Sequence, residues 1–237
     1  MTEFTRAAET PHRRRSGGPP LGPLAIVTLA LTVAGVLVLT LATGSPPDPF
    51  AAPADVAAWY AAHGPTIRVG AMLQFGAAVP LGILTASLYA RQLRLGVRVP
   101  GPVIGLYGGI AASVLLAVSA LVTWSLAMPG IDAEPVVAAA LARLAFSLGG
   151  VGYATGVGLL VAGVAVPAFI LRLLPRWLAA IGLVIGLAGE LSFLSLVFDP
   201  LQMLLPVVRF GGGIWLIAAA FLLPVQRARR APGSREE

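Results

Sequence analysis

Four polar side chains within the apolar part of the sequence could carry chemistry: Glu190, Arg209, Arg143 and Gln74. A carboxylate and a guanidinium can form a two-pronged ion pair. A carboxylate inside a bilayer must be paired, be protonated or face water. Glu190 could therefore carry a proton, bind a cation or lock two helices together through an arginine. Which role is possible depends on the elements that position these residues.

Those elements are predicted to be membrane-spanning helices. The chain of 237 residues is 57% hydrophobic and 11% charged, whereas an ordinary soluble domain is roughly a quarter charged. Its apolar residues fall in blocks of about 20, the length that a helix needs to cross a bilayer. We therefore predict an all-α polytopic membrane protein, a bundle of six transmembrane helices. The predicted spans are residues 23–43, 67–90, 101–128, 140–168, 177–198 and 206–225.

The segments around the spans complete the predicted domain organisation. We predict a disordered basic cytoplasmic tail at residues 1–20, a six-helix transmembrane domain at 21–226 and a cytoplasmic tail at 227–237. The stretch from Pro53 to His63 predicts a short interfacial helix, because Trp59 and Tyr60 suit the level of the lipid headgroups. The fourth apolar block, about 136–171, is longer than one span requires, which indicates tilt or an interfacial turn.

The arginines predict the orientation of the bundle. All sixteen basic residues are arginine, and thirteen of them lie in the two tails, after the second span or after the fourth span. By the positive-inside rule, both termini are cytoplasmic. The exceptions are Arg68, Arg143 and Arg209, each near the outer end of an even-numbered span. The absence of lysine and asparagine and the abundance of alanine, glycine and proline suggest a GC-rich bacterial genome, so we predict a multi-pass protein of the bacterial inner (plasma) membrane.

Composition excludes several classes of function. Without cysteine there is no disulfide, iron–sulfur cluster, thiolate zinc site or covalent c-type haem. His12 and His63 lie on opposite sides of the first apolar block and cannot jointly hold a metal. We therefore predict no cofactor and no metal. The net charge of +6 comes from arginines beside apolar blocks, so the predicted partner is the lipid bilayer and not nucleic acid. The oligomeric state stays open.

Glu190 is the most informative of the four polar residues. It lies about 20 Å along the fifth helix from Trp177 and about 12 Å from Phe198, well inside the hydrocarbon. The structural interpretation is an ion pair that locks the bundle, with Arg209 as the better partner and Arg143 as the other. The functional interpretation adds Gln74, so that the four residues line a small polar pocket that opens outward.

Three functions remain open. No phosphate-binding loop, zinc-binding H-E-x-x-H pair or G-x-S-x-G nucleophile elbow occurs in the sequence, and this disfavours an enzyme. The leading hypothesis is a non-enzymatic membrane protein in which the polar cluster is structural. The alternative is a transporter or sensor for a small anionic or weak-acid solute. A further alternative is a membrane-embedded, lipid-modifying enzyme with Glu190 as general acid or base.

Three stretches resemble a known family: Arg91–Gly109, Leu174–Ala179 and Arg209–Ile217. They are similar to uncharacterised six-span integral membrane proteins of GC-rich bacteria, grouped as a domain of unknown function. The resemblance covers most of residues 23–225. It implies six helices and a plasma-membrane location, and it implies no activity, cofactor or catalytic residue.

Overall fold

A computed structural model describes residues 19–44, 47–48 and 50–225. All regular structure within these ranges is helical, without a strand. Most of the predicted tail at 1–20, and all of the tail at 227–237, lies outside the described residues. The α-helices are α1 (Leu21–Thr43), α2 (Pro53–Arg94), α3 (Gly101–Leu126), α4 (Pro135–Phe146), α5 (Tyr153–Ile170), α6 (Arg176–Leu191), α7 (Leu204–Pro206) and α8 (Gly212–Leu222).

Shorter helical segments join some of these helices. A first π-helical segment, Ser147–Gly152, connects α4 to α5, and a second, Val207–Gly211, connects α7 to α8. Turns of 3₁₀ helix occupy Ile131–Ala133, Ser192–Leu196 and Asp199–Met203. Each π-helical segment therefore lies inside a longer helical stretch.

Six helical stretches are long and apolar enough to cross a membrane, which confirms the predicted all-helical class and the number of spans. Helices suit this environment because each satisfies its own backbone hydrogen bonds where no water is available. The stretches are Leu21–Thr43, Pro53–Arg94, Gly101–Leu126, Pro135–Ile170, Arg176–Leu196 and Asp199–Leu222.

The described chain begins and ends on the same side of the bundle. Gly22, in the first turn of α1, packs against Phe221 in the last turn of α8. Arg91, near the end of α2, donates hydrogen bonds to the carbonyl groups of Leu223 and Pro224. We call this side the arginine-rich end, because Arg91 and Arg94 lie in the last turn of α2, and Arg98, Arg172 and Arg176 lie at or between the helix ends on the same side. The other side is called the opposite end.

The predicted short interfacial helix is wrong in one respect: residues 53–63 are the first turns of α2 and not a separate element. The physical reason is burial. Val56 and Ala57 pack against Leu126 of α3 and against Ala138 of α4, so this part of the helix docks on the bundle. With 42 residues, α2 is about 63 Å long, twice the roughly 30 Å of a hydrocarbon core.

The extra length of the fourth apolar block does not form an interfacial turn. Residues 135–170 are helical throughout, with the first π-helical segment in the middle. α4 packs against α2 and α3, whereas α5 packs against α3 and α6. The block is long because its first part covers the extended beginning of α2.

Small residues allow the central helices to approach closely. A Cβ atom on Gly163 of α5 would lie 2.5 Å from the Cα atom of Gly105 on α3. A Cβ atom on Gly189 of α6 would lie 2.5 Å from the Cα atom of Gly158 on α5. Only hydrogen fits at these crossings, as is common where helices pack through van der Waals contact in a bilayer. α5 is consequently the best-buried helix of the bundle.

Candidate polar site

Arg209 lies in the second π-helical segment, near the middle of the last membrane crossing. Thirteen residues separate it from the end of α8, a distance of about 20 Å at the helical rise. A π-helical segment is a local widening of the helix that is often found at functional sites. The arginine is partly buried and is directed toward two other crossings.

Three groups from two other helical stretches hold the guanidinium. Its Nη2 donates a hydrogen bond to the carbonyl oxygen of Gly149 in the first π-helical segment. Its Nη1 donates to Oε1 of Gln74 on α2 at 3.4 Å. Its central carbon lies 4.8 Å from the centroid of the Tyr153 ring at the start of α5. We call Arg209, Gln74, Gly149 and Tyr153 the Arg209 cluster.

Glycine at position 149 is needed for this arrangement. A Cβ atom there would collide with the hydroxyl group of Ser119 on α3. That hydroxyl group donates to the carbonyl oxygen of Ala145 at 2.8 Å, which fixes α3 against the helix that carries Gly149. A carbonyl oxygen has two lone pairs, so Gly149 can accept from Arg209 without losing a backbone donor. The two π-helical segments therefore meet through one arginine.

A cavity of about 10 Å³ lies beside the cluster, large enough for about one water molecule. Arg209 and Tyr153 line it, together with Thr28 and Thr32 of α1. Both threonine hydroxyl groups donate to the carbonyl group four residues earlier, at 2.8 and 2.9 Å, so toward the cavity they can act only as acceptors. The hydroxyl group of the buried Tyr153 has no hydrogen-bond partner among the described residues.

Glu190 lies at a similar depth but does not join the cluster. In the described part of the chain it makes no hydrogen bond or ion pair, and its Oε1 is buried without a partner. The ion pair predicted with Arg209 or Arg143 is therefore not formed. The reason is the direction of the Glu190 side chain. The side of α6 that faces the last crossing carries Ile185, which packs against Gly211 and Gly212. Glu190, five positions later, is rotated from Ile185 by about 140° around the helix.

Arg143 is placed elsewhere. It lies on α4, and its guanidinium carbon is 5.9 Å from the centroid of the Phe50 ring. Phe50 belongs to the connection between α1 and α2 and also packs edge-on against Phe146. Of the four residues predicted to form one cluster, the hydrogen bonds thus join Arg209 and Gln74, whereas Glu190 and Arg143 have different surroundings.

Sequence reasoning missed two members of the Arg209 cluster. The acceptor at Gly149 is a backbone oxygen, which no residue type reveals. Tyr153 is one of several polar residues in apolar blocks, and nothing in its position distinguishes it from Ser147. The available signal was the excess length of the fourth apolar block around the glycine-rich stretch 149–152, which accompanies a widened helical turn.

Comparison of the chain with protein-family models, curated proteins and solved structures found no match. The resemblance to a six-span bacterial family therefore stays a prediction.

Proposed function

We propose that this chain is a non-enzymatic, multi-pass protein of the bacterial inner membrane in which the Arg209 cluster holds the helices in register. Both termini are cytoplasmic in this proposal. Two observations support the orientation: thirteen of the sixteen arginines lie in the tails or after the second and fourth spans, and the described chain starts and finishes at the arginine-rich end.

One observation carries the structural role: Arg209 contacts three other helical segments, beside a cavity with room for about one water molecule. Hydrogen bonds to charged groups contribute about 1.5–3 kcal/mol, and a desolvated cation–π contact contributes about 2 kcal/mol. Contacts of this strength, between helices distant in sequence, resist sliding of one helix past another. The filled surroundings leave no space for a solute larger than water.

A double-mutant cycle in detergent tests this role. The variants are Arg209→Gln, Gln74→Leu and the pair, with Arg68→Gln as a matched control, because Arg68 is an exposed arginine on α2. If the cluster is structural, both single changes lower the melting temperature. The fall for the double variant is then smaller than the sum of the two single falls, and the difference measures the coupling between the residues. The melting temperature of Arg68→Gln stays close to that of the unsubstituted protein. A melting temperature of Arg209→Gln equal to or above that of the unsubstituted protein would overturn the structural role.

A second candidate function is a transporter or sensor for a small anionic or weak-acid solute. A specific observation favours it: no carboxylate neutralises Arg209 within the described residues, so the cluster carries a net positive charge beside an unbonded Tyr153 hydroxyl group. Arginine recognises carboxylates and phosphates through paired hydrogen bonds. Opening of the cavity would admit such an anion.

Flux measurements separate the two functions. Proteoliposomes are loaded with labelled acetate, lactate, nitrate or chloride, and efflux is compared for the unsubstituted chain and Arg209→Gln. Transport predicts protein-dependent efflux of at least one anion that Arg209→Gln abolishes while the variant stays folded. Equal efflux from empty and protein-containing liposomes for all four anions counts against transport. The lipid-modifying enzyme stays a prediction. No hydrogen bond among the described residues joins Glu190 to a nucleophile.

A further inference from the structure

A second, larger cavity lies at the arginine-rich end between α1 and α2. Its volume is about 340 Å³, far larger than that of the cavity beside Arg209. The beginning of α1 forms one wall, and the last turns of α2 form the other. Its lining includes Leu21, Ile83, Ser87, Ala90, Arg91 and Arg94. We call this cavity the α1–α2 groove.

Two arginines form its charged part. Arg91 and Arg94 are three positions apart, so they lie on the same face of α2. Arg91 is anchored by its bonds to the carbonyl groups of Leu223 and Pro224 at 3.3 and 3.4 Å, and its Nε is buried without a hydrogen-bond partner. Arg94 is exposed. Neither arginine forms an ion pair within residues 19–44, 47–48 and 50–225.

The remainder of the groove is apolar and extends toward the centre of the bundle. Ile83 and Ala90 are seven positions apart on α2, so this wall is about 10 Å long. Ile83 is 43% exposed, and Leu21 closes the groove from α1. The groove therefore combines a positive site where two helices end with an apolar channel that follows the helix inward.

We propose that the α1–α2 groove binds one anionic phospholipid, with its phosphate at Arg91 and Arg94 and part of an acyl chain along Ile83 and Ala90. Guanidinium groups bind phosphate through paired hydrogen bonds, and basic pockets between transmembrane helices hold anionic headgroups. Free phosphate would use the arginines alone. The apolar wall beneath them fits the acyl chain of a lipid. This inference needs only that the chain spans a membrane, and it is independent of the Arg209 cluster.

The test uses the purified full-length chain. Thermal stability is measured in detergent with added phosphatidylglycerol, phosphatidylcholine or inorganic phosphate, and lipid affinity is measured by titration of a fluorescent phosphatidylglycerol. We expect phosphatidylglycerol alone to raise the melting temperature. The variant Arg91→Gln/Arg94→Gln should bind it roughly 30-fold more weakly, since each basic side chain at an anionic surface contributes about fivefold. Arg98→Gln is the matched control, an exposed arginine at the same end that does not line the groove.

Two further variants keep the proposal testable if the double variant does not fold. Arg94→Gln alone removes an exposed charge. Ala90→Trp places a large side chain in the apolar part of the groove without changing the charge. Weaker phosphatidylglycerol binding by both variants supports the groove. Unchanged binding in both, or equal binding of phosphatidylglycerol and phosphatidylcholine, overturns the proposal. Full displacement of the fluorescent lipid by millimolar inorganic phosphate identifies a phosphate site and also overturns it.

Discussion

Arg209 and Glu190 are two charged side chains at similar depths in neighbouring membrane crossings, and their surroundings are opposite. Arg209 bonds to a backbone carbonyl group and a side-chain amide and lies over an aromatic ring. Glu190 has a buried oxygen without a partner. The difference follows from what a helical bundle offers to each sign of charge.

A helix interior offers acceptors to a cation but few donors to an anion. Every backbone carbonyl oxygen keeps a second lone pair after its helical hydrogen bond is made, whereas each backbone N–H group has only one hydrogen to give. A guanidinium, with five N–H groups, can therefore be satisfied by the backbone and by a ring face. A carboxylate needs a donor side chain, water or its own proton. Arg209 thus needs no acidic partner, but Glu190 needs a donor that the described contacts do not supply.

The largest loss of stability is expected from Gly149→Ala, a substitution beside the Arg209 guanidinium. The added methyl group collides with the Ser119 hydroxyl group and would lie 3.0 Å from the Ser119 Cβ atom, so α3 or the backbone at Gly149 must shift. We expect this shift to weaken the hydrogen bond from Arg209 to the Gly149 carbonyl oxygen. We expect a loss of roughly 3 kcal/mol in stability, from overpacking and from the lost charged hydrogen bond. Thermal or denaturant unfolding in detergent measures it.

Gly150→Ala is the matched control for that change. Its Cβ atom would meet the end of the Leu205 side chain at 3.4 Å and the edge of the Phe146 ring at 3.8 Å, which are ordinary contacts. We expect Gly150→Ala to lower the stability by well under half as much as Gly149→Ala. Equal destabilisation by the two variants would show that the glycines matter for general packing and not for the Arg209 contact.

A smaller effect is expected from Tyr153→Leu, which removes the ring beneath the guanidinium. The lost cation–π contact predicts destabilisation by about 1–2 kcal/mol in addition to the change in packing. Tyr153→Phe keeps the ring and loses only a hydroxyl group without a described hydrogen bond, so its melting temperature should stay close to that of the unsubstituted chain. A large loss in Tyr153→Phe would mean that the hydroxyl group, and not the ring, holds the cluster.

The smallest change in stability is expected from Glu190→Gln. The ion pair predicted from the sequence would make Glu190→Gln destabilising, but the contacts give the opposite expectation, because no partner is lost and a buried oxygen becomes less costly. We expect a change of at most about 0.5 kcal/mol, or a slight gain. Glu134→Gln, an exposed carboxylate at the opposite end, is the control. Clear destabilisation by Glu190→Gln alone would reveal a partner for the carboxylate.

The number of membrane crossings could be predicted because each depends on one continuous apolar run, a local property of the sequence. Gln74 and Arg209 were also recognisable, since polar residues are rare in such runs. Their partners were not predictable, because pairing depends on the direction of each side chain around its helix. Ile185 and Glu190 lie on different sides of α6, and Ile185 is the one that packs against Gly211 and Gly212. The acceptor at Gly149 belongs to the backbone. The same holds for residues 53–63. Trp59 and Tyr60 indicate the membrane interface, but Val56 and Ala57 are buried against the bundle, so the segment forms the first turns of α2.

The π-helical segment at 147–152 also divides one membrane crossing into two parts, α4 and α5, which share α3 as a neighbour but differ in their other neighbours. A π-helical turn holds more residues than an α-helical turn, so side chains beyond it are rotated from the positions that a regular α-helix would give them. α4 packs against α2 and α3, and α5 packs against α3 and α6. A single helical wheel drawn through residues 135–170 therefore mixes two surfaces. Any graft, chimera or deletion that treats this crossing as one regular helix will turn half of it toward the wrong neighbours.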